Sequence, residues 1–284
     1  MNSSFEQSFK KRLHNIAKER SLTPAEVWHN VIAERFLVRL CSSPYGSHFV
    51  LKGGTLLAKH LRLGRETQDL DFAVQRLGNE IHALQKVFDE IVSIQVVDGF
   101  TFVNPRVVPL DHFHMKYVGA QVRIGVHFGK AQFPLFIDLG FGDVVAVQEK
   151  NIILSANSKG PLFESSLSLQ CYPLEFVFAE KLETVIHRGA ENSRMKDYHD
   201  LLTLVRAEHV LDGVESERAI RAVFWHRKTR LYLPIRFDVS QLSRLQMYWE
   251  RYHHSLSLLE QLPDKIAHVI EKINEWLRQA TDFK

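Results

Sequence analysis

Hydrophobic residues recur along the chain at two different spacings, and these spacings divide it into two regions. Up to about residue 165, short apolar runs alternate with helical patterns, and residues 122–128 show the two-residue repeat of a strand. After Tyr172, nearly all apolar residues recur at helical spacing. The pattern predicts an α+β fold, with a small mixed β-sheet and helices in residues 1–165 and a mainly helical region in residues 166–284.

Helical periodicity and turn residues place the individual elements. The first 45 residues are predicted to be helical, and Thr23 to Glu26 form a capping box with Pro24 at the first helical position. Strands are predicted at residues 49–52, 70–74, 93–103, 115–128 and 133–139. Helices are predicted at residues 55–63, 78–91, 174–188, 195–206, 214–227, 240–260 and 263–280. A polar segment, 155–168, precedes the change to the helical region.

Composition narrows the class of protein. Hydrophobic residues make up 45% of the chain and charged residues 24%, which is typical of a globular protein. No apolar run approaches the roughly 20 residues that cross a bilayer, and the N-terminus lacks the apolar core of a secretory signal. Cys41 and Cys171 are the only cysteines, which excludes a disulfide scaffold and predicts a cytoplasmic location. The net charge of +3 permits a nucleic-acid partner without requiring one.

Three aspartates stand in apolar, strand-like surroundings. Asp69 and Asp71 lie in "LKGGTLLAKHLRLGRETQDLDFAV", residues 51–74, and their i, i+2 spacing puts both side chains on one face of a strand. Like charges there repel and resist desolvation, and a divalent cation removes both penalties. Asp138, in "FPLFIDLGFGD", is a third candidate. Three carboxylates on one sheet suit two Mg²⁺ or Mn²⁺ ions about 3.5–4 Å apart.

Gly53, Gly54 and Thr55 lie between a predicted strand and a predicted helix. Exposed backbone N–H groups at such a turn, together with the helix N-terminus, can bind phosphate. Taken alone, the glycine pair is also explained by a tight turn, and the D-x-D pattern by a solvated strand edge. The combination of both patterns on consecutive elements favours a nucleotide site.

A second candidate group lies in "FVFAEKLETVIHRGAENSRMKDYHDLLTL", residues 176–204. Lys181 falls within an apolar helical stripe, where a lysine either extends its charge into solvent or directs it at a polyanion, and Arg188 would extend the basic face. Asp197 and Asp200 share a face of the next helix, where they could also form a local charge pattern with neighbouring basic residues.

Both blocks resemble the AbiEii/AbiGii abortive-infection toxins, nucleotidyltransferases of the DNA polymerase beta superfamily. Positions that match the family motifs are Lys52, Gly53, Gly54, Thr55, Leu56, Arg65, Thr67, Asp69, Leu70, Asp71 and Phe72, then Glu180, Lys181, Leu182, Arg188, Lys196, Asp197, Asp200 and Leu201. Lys196 stands where the family usually has arginine. The matches span roughly residues 50–205, about half of the chain.

The resemblance implies a nucleotidyltransferase core that moves NMP from an NTP to an RNA acceptor, with a tRNA 3′ end favoured, in a toxin–antitoxin or phage-defence system with a cognate antitoxin. It assigns the metals to Asp69, Asp71 and Asp138, with Asp138 also a candidate base. The triphosphate is assigned to Gly53, Gly54 and Thr55, with cationic support from Lys181, Lys52, Arg65 and Arg188. Asp197 is implied as a further essential carboxylate and ranked above Asp200, for which helix packing is the alternative.

The acceptor has weaker support in the sequence. Basic residues alternate with aromatic ones near the C-terminal region, which suits phosphate contact and base stacking but also a solvated amphipathic helix. The residues concerned are Arg221, Phe224, Trp225, Arg227, Lys228, Arg230, Tyr232, Arg236 and Phe237. Other functions that the sequence leaves open are nucleotide transfer to a protein side chain, a catalytically silent binding module, and a Mg²⁺-dependent nuclease or phosphatase.

Overall fold

A computed structural model describes residues 3–61, 67, 69–110, 119–142, 147–256 and 262–283. Arg65, which the resemblance assigns to the nucleotide, lies outside these residues. The described chain up to Lys59 and from Thr67 to Cys171 forms one compact unit, and the chain from Tyr172 onward forms a second. None of the described helices combines the length and the apolar character that crossing a bilayer would require.

The first unit is built on a seven-stranded mixed sheet. Its helices are α1 (Ser3–Arg20), α2 (Pro24–Cys41), α3 (Gly53–His60) and α4 (Ile81–Ser93), with a 3₁₀ turn at Gly46–His48. Its strands are β1 (Phe49–Lys52), β2 (Asp69–Val74), β3 (Phe100–Leu110), β4 (Gly119–Phe128), β5 (Ala131–Phe141), β6 (Gln148–Ile153), β7 (Ala156–Asn157), β8 (Gly160–Pro161) and β9 (Ser166–Cys171). The sheet order is β3-β4-β5-β2-β1-β9-β6, and β7 and β8 form a separate hairpin. The β2–β5 and β1–β9 pairs are parallel and the other pairs are antiparallel.

Alternating residues give the sheet two different faces. Leu70 and Phe72 of β2 are buried, whereas Asp69 and Asp71, which alternate with them, are half-buried. The buried face packs against helices, since Phe88 of α4 stacks on a phenylalanine of α2 and meets Phe49 of β1 edge to face. The helical layer therefore covers one face of the sheet, and the carboxylates project from the other face.

The predicted N-terminal cap of α2 is confirmed. Thr23 Oγ1 accepts a hydrogen bond from the Glu26 backbone N–H at 3.2 Å, and Glu26 Oε2 accepts one from the Thr23 N–H at 2.6 Å. Because two backbone donors are satisfied reciprocally, the start of α2 is fixed at Pro24.

A buried charge cluster joins α2 to the start of β3. Asp98 accepts hydrogen bonds from Arg35 Nε and Arg39 Nη1, both at 2.8 Å, and Arg35 also pairs with Glu164. Burial alone would raise the pKa of Asp98, but the hydrogen bonds from Arg39 and Arg35 outweigh it and hold that pKa below its ordinary value. Removing one partner of such a cluster is costly because it leaves a buried charge uncompensated.

The prediction of the sheet was wrong in two places. The strand predicted from residue 93 starts at Phe100, because α4 continues to Ser93 and a turn follows it. The strands β6 to β9 were not predicted. Two of them, β7 and β8, have two residues each, β6 is exposed at five of its six positions, and β9 begins inside the polar segment 155–168. An exposed edge strand lacks the alternation on which the prediction relied.

The second unit is helical, as predicted. Its helices are α5 (Leu174–Arg188), α6 (Met195–Arg206), α7 (Gly213–Arg227), α8 (Val239–Ser255) and α9 (Ile266–Ala280). Phe178, Leu202 and Trp249 are fully buried in its core. At the start of α7, a side chain on Gly213 would place its Cβ 2.0 Å from the Ala280 carbonyl oxygen, so glycine lets the two helix ends touch.

Candidate active site

The strand register brings polar residues together in one row. Asp71 of β2 lies directly opposite Lys52 of β1 on one side and Asp138 of β5 on the other. Asp138 in turn lies opposite Gln121 of β4, whose Nε2 donates a hydrogen bond to Asp138 Oδ1 at 2.9 Å. These four residues, here called the carboxylate row, cross four adjacent strands on one face of the sheet.

Asp69 belongs to the same face, two residues along β2 from Asp71. Its neighbour on β5 is Phe136, which is two residues from Asp138. The three predicted metal ligands therefore project from adjacent parallel strands in the same direction. They are half-buried rather than buried as the sequence suggested, because the strands alternate and the buried positions fall to the apolar residues between them.

Gly53 is required by the position of Asp71. Its φ of +67° is one that L side chains rarely adopt, and a Cβ at this position would lie 2.1 Å from Asp71 Oδ2. The Asp71 carboxylate thus occupies the space that a side chain at residue 53 would fill. The glycine turn and the aspartate, which are far apart in the motif, form one packed unit.

Thr55 links the glycine turn to β2. Its hydroxyl donates a hydrogen bond to the Asp69 backbone carbonyl at 2.8 Å, so the hydroxyl proton is engaged within the protein. Helix α3 begins at Gly53, two residues earlier than predicted, and Gly54 lies buried in its first turn. The assignment of this turn, and of Thr55 within it, to the triphosphate stays a prediction.

The other end of α3 is held by residues that the sequence did not single out. Lys59 Nζ lies 2.5 Å from Glu34 Oε1, and the buried Glu34 carboxylate also accepts hydrogen bonds from the backbone N–H and hydroxyl of Ser155. A buried acidic residue in an apolar helix was the available signal. Helix α3 is consequently fixed to β2 at its first turn and to α2 at its last.

The donor chemistry of the carboxylate row suits a hard cation. Asp69, Asp71 and Asp138 supply only oxygen atoms, which Mg²⁺ and Mn²⁺ prefer. Among the described residues, no three His, Cys, Asp or Glu side chains already have the mutual positions of a metal site. The residue types and register fit a cation, and their side chains would adjust on binding it.

In the second unit, Lys181 lies between two buried carboxylates. Its Nζ is 2.5 Å from Asp200 Oδ2 and 3.3 Å from Asp197 Oδ1, and Arg194 Nε donates to Asp197 Oδ2 at 3.2 Å. The Lys181 side chain is 12% exposed and the two aspartates are 3% and 0% exposed. These four residues, the lysine cluster, show that Lys181 does not extend into solvent. Asp200, ranked below Asp197 from the sequence, is the nearer partner.

The first turns of α6 explain the burial of this cluster. Tyr198, beside Asp197, is fully buried, and burial and the Asp197 charge both raise the pKa of its hydroxyl. His199 is buried as well, with its Nδ1 2.7 Å from the Tyr252 hydroxyl of α8. Arg188, in contrast, lies exposed at the end of α5.

Fewer residues of the basic and aromatic stretch near α7 are exposed and unpaired than the sequence suggested. Phe224 is 3% exposed and belongs to the core, and Arg227 forms an ion pair with Glu183 at 2.8 Å. Trp225 is 87% exposed, and the Arg230 guanidinium lies over the Tyr232 ring at 4.9 Å. The stretch thus offers fewer available cations than its sequence suggested.

Comparisons with known proteins agree with this architecture. The family model described as nucleotidyl transferase AbiEii toxin, type IV toxin–antitoxin system, matches residues 35–279. MenT4, a nucleotidyltransferase toxin from Mycobacterium tuberculosis H37Rv, superposes with a TM-score of 0.56 at 20% identity, covering 92% of this chain and 85% of that one. JHP933 from Helicobacter pylori gives 0.49 at 15% identity, covering 91% and 93%. A search of curated proteins gave no match. The similarity to MenT4 shows a shared fold.

Proposed function

The chain belongs to the AbiEii family of nucleotidyltransferase toxins, and from this premise we propose that it transfers NMP from an NTP to a tRNA 3′ end in a metal-dependent reaction. The observation that carries the proposal is the register that sets Asp138 beside Asp71, with Asp69 on the same face. The family is one of type IV toxin–antitoxin systems, so an antitoxin is its expected partner.

Asp69, Asp71 and Asp138 would hold Mg²⁺, with Mn²⁺ as a substitute. Bound cations of this kind stabilise the negative charge that builds at the α-phosphate and the leaving pyrophosphate. The protein residues orient the reactants. The backbone N–H groups at the start of α3 donate to phosphate oxygens, and Gly53 allows the Asp71 carboxylate to lie against this turn. Asp138 would accept the proton of the acceptor hydroxyl, its position held by Gln121.

The basic residues would balance the outer charge of the triphosphate. Lys52, directly opposite Asp71, is the candidate in the first unit. Lys181 is the candidate in the second unit, with Arg188 as an exposed supplement. Asp197 and Asp200 would hold the Lys181 ammonium in one position, since each contacts it directly.

The test is transfer of radiolabel from each NTP in turn, with Mg²⁺, to purified tRNA and to cell protein in parallel reactions. We expect label at the 3′ end of tRNA, lost in Asp138→Asn. Asp89→Asn is the matched control, because it makes the same chemical change at an exposed position of α4. Label found in protein instead of tRNA would show that the acceptor is a protein side chain. Absence of label from both tRNA and protein would contradict the proposal and favour a catalytically silent binding module.

A further inference from the structure

Two arginines face each other on the side of the sheet that carries the carboxylates. Arg106 of β3 lies directly opposite Arg123 of β4, and both side chains are exposed. The residues that alternate with them, Val107 and Val122, are 7% and 0% exposed and belong to the core face. The arginines therefore project from the same face as Asp69, Asp71 and Asp138.

This pairing needs an explanation, because like charges directly opposite each other on adjacent strands destabilise a sheet. Within the part of the chain that the structure describes, neither Arg106 nor Arg123 forms an ion pair. The Arg123 guanidinium instead lies over the Phe136 ring, 5.7 Å from its centroid, which orients it without neutralising it. The two arginines thus form an exposed positive site in which Arg123 is oriented by an aromatic ring.

The register relates this site to the proposed metal ligands. Arg106, Arg123, Phe136 and Asp69 occupy consecutive positions across β3, β4, β5 and β2. With strands about 4.8 Å apart, Arg123 and Asp69 are separated by two strand spacings, on the order of 10 Å.

The site lies on the opposite side of the carboxylates from the glycine turn. Lys52 is the last residue of β1 and Gly53 follows it, on one side of β2, whereas Arg123 is on β4, beyond β5 on the other side. In an in-line displacement, the attacking and leaving oxygens are on opposite sides of the reacting phosphorus. If the leaving pyrophosphate lies at the glycine turn, the arginines are on the side of the attacking strand.

We propose that Arg106 and Arg123 bind backbone phosphates of the acceptor RNA next to its reacting 3′ end. The inference rests on the proposed function and adds to it the position of the acceptor strand. Guanidinium groups suit this role because they pair with phosphate oxygens through two parallel hydrogen bonds. The ring of Phe136, half-buried between Arg123 and Asp69, adds an aromatic surface along the same path.

The test measures the affinity for fluorescein-labelled tRNA by fluorescence anisotropy, without NTP, over a series of KCl concentrations. Each phosphate contact contributes about 0.7 to the slope of log affinity against log salt for a single strand. We expect Arg106→Ala and Arg123→Ala each to make this slope less negative by about 0.7, and the double variant by about 1.4. Lys130→Ala, which removes an exposed cation from the β4–β5 turn, should leave the slope unchanged.

Two further readouts separate the possible outcomes. Thermal unfolding should show the arginine variants as stable as the wild type or slightly more stable, because a like-charge pair has been relieved. In steady-state labelling, the KM for tRNA should rise while the KM for NTP stays constant. A rise confined to the KM for NTP would assign the arginines to the triphosphate and overturn the inference.

Wild-type behaviour distinguishes failure of the inference from failure of the proposed function. If wild-type protein neither binds nor labels tRNA, the proposed function fails and the inference falls with it. If the wild type binds and labels tRNA but the double variant matches Lys130→Ala in slope and KM, only the inference is wrong.

Discussion

The carboxylate row and the lysine cluster both concentrate charge, but they handle it differently. In the row, Asp71 and Asp138 are half-buried on a sheet face, and Asp138 accepts a hydrogen bond from the neutral side-chain amide of Gln121. In the cluster, Asp197 and Asp200 are almost fully buried and held by the ammonium of Lys181. The first arrangement leaves its carboxylates half-exposed, and the second buries its carboxylates against an ammonium.

The difference separates a requirement of catalysis from a requirement of folding. A half-exposed carboxylate is hydrated in the folded and in the unfolded chain, so replacing it changes stability little. The two groups of a buried ion pair are desolvated on folding, so removing one partner leaves the other buried without a compensating charge. Substitutions in the row should therefore affect activity alone, and substitutions in the cluster should affect activity and stability together.

The largest effect is expected for Asp71→Asn, which keeps the shape packed against Gly53 and removes the charge. Loss of a metal ligand should lower the labelling rate about 10³-fold, equivalent to about 4 kcal/mol of transition-state stabilisation. The free energy of unfolding, measured with urea, should stay within about 1 kcal/mol of wild type. A large loss of stability at unchanged activity would show that the carboxylate row serves folding and not catalysis.

Next in size is Lys181→Ala, for which we expect the free energy of unfolding to fall by about 3–5 kcal/mol. The reason is that Asp200, 0% exposed, would lose the ammonium that compensates its carboxylate. Urea unfolding of Lys181→Ala beside Lys196→Ala, an exposed lysine on α6, measures the difference. Equal stability of the two variants would show that the cluster is not a buried ion pair in solution.

A smaller effect concerns acid unfolding and the buried cluster of Arg35, Arg39 and Asp98. Because the folded pKa of Asp98 is lowered, its contribution is present above the unfolded value of about 3.9 and is lost as pH falls through the folded value. We expect about 1–3 kcal/mol to be lost in this range. In Asp98→Asn, the free energy of unfolding, measured with urea between neutral and acidic pH, should fall less steeply with decreasing pH than in the wild type.

The smallest effect is expected for Thr55→Val, which removes the hydrogen bond to the Asp69 carbonyl. Stability should fall by about 1 kcal/mol, and the labelling rate should fall less than in Asp71→Asn because the ligands themselves remain. Thr101→Val, an exposed threonine on β3, is the control. A rate loss in Thr55→Val as large as in Asp71→Asn would indicate direct contact of the hydroxyl with substrate.

Local patterns in the sequence were sufficient where neighbouring residues determine the structure. The helices of the second unit follow from apolar spacing, and the common face of Asp69 and Asp71 follows from strand alternation. The cap at Thr23 follows from its own side chain and that of Glu26. In each case the decisive contact lies within a few residues of chain.

Contacts between distant segments could not be predicted in this way. The opposition of Arg106 and Arg123, and the bond from Gln121 to Asp138, depend on strand register, which no local spacing encodes. The burial of Asp197 and Asp200 depends on their contact with Lys181 of the preceding helix, which their spacing on α6 does not show. Edge strands such as β6 lack the burial that creates a recognisable alternation.

The close approach of Asp71 to the backbone of Gly53 also constrains how this protein can evolve. Any residue larger than glycine at position 53 displaces the carboxylate, so a substitution there is tolerable only after the aspartate has been given up. Descendants of an inactivated copy should therefore lose these two residues in a fixed order, aspartate first, and that order of loss would mark which lineages have abandoned catalysis.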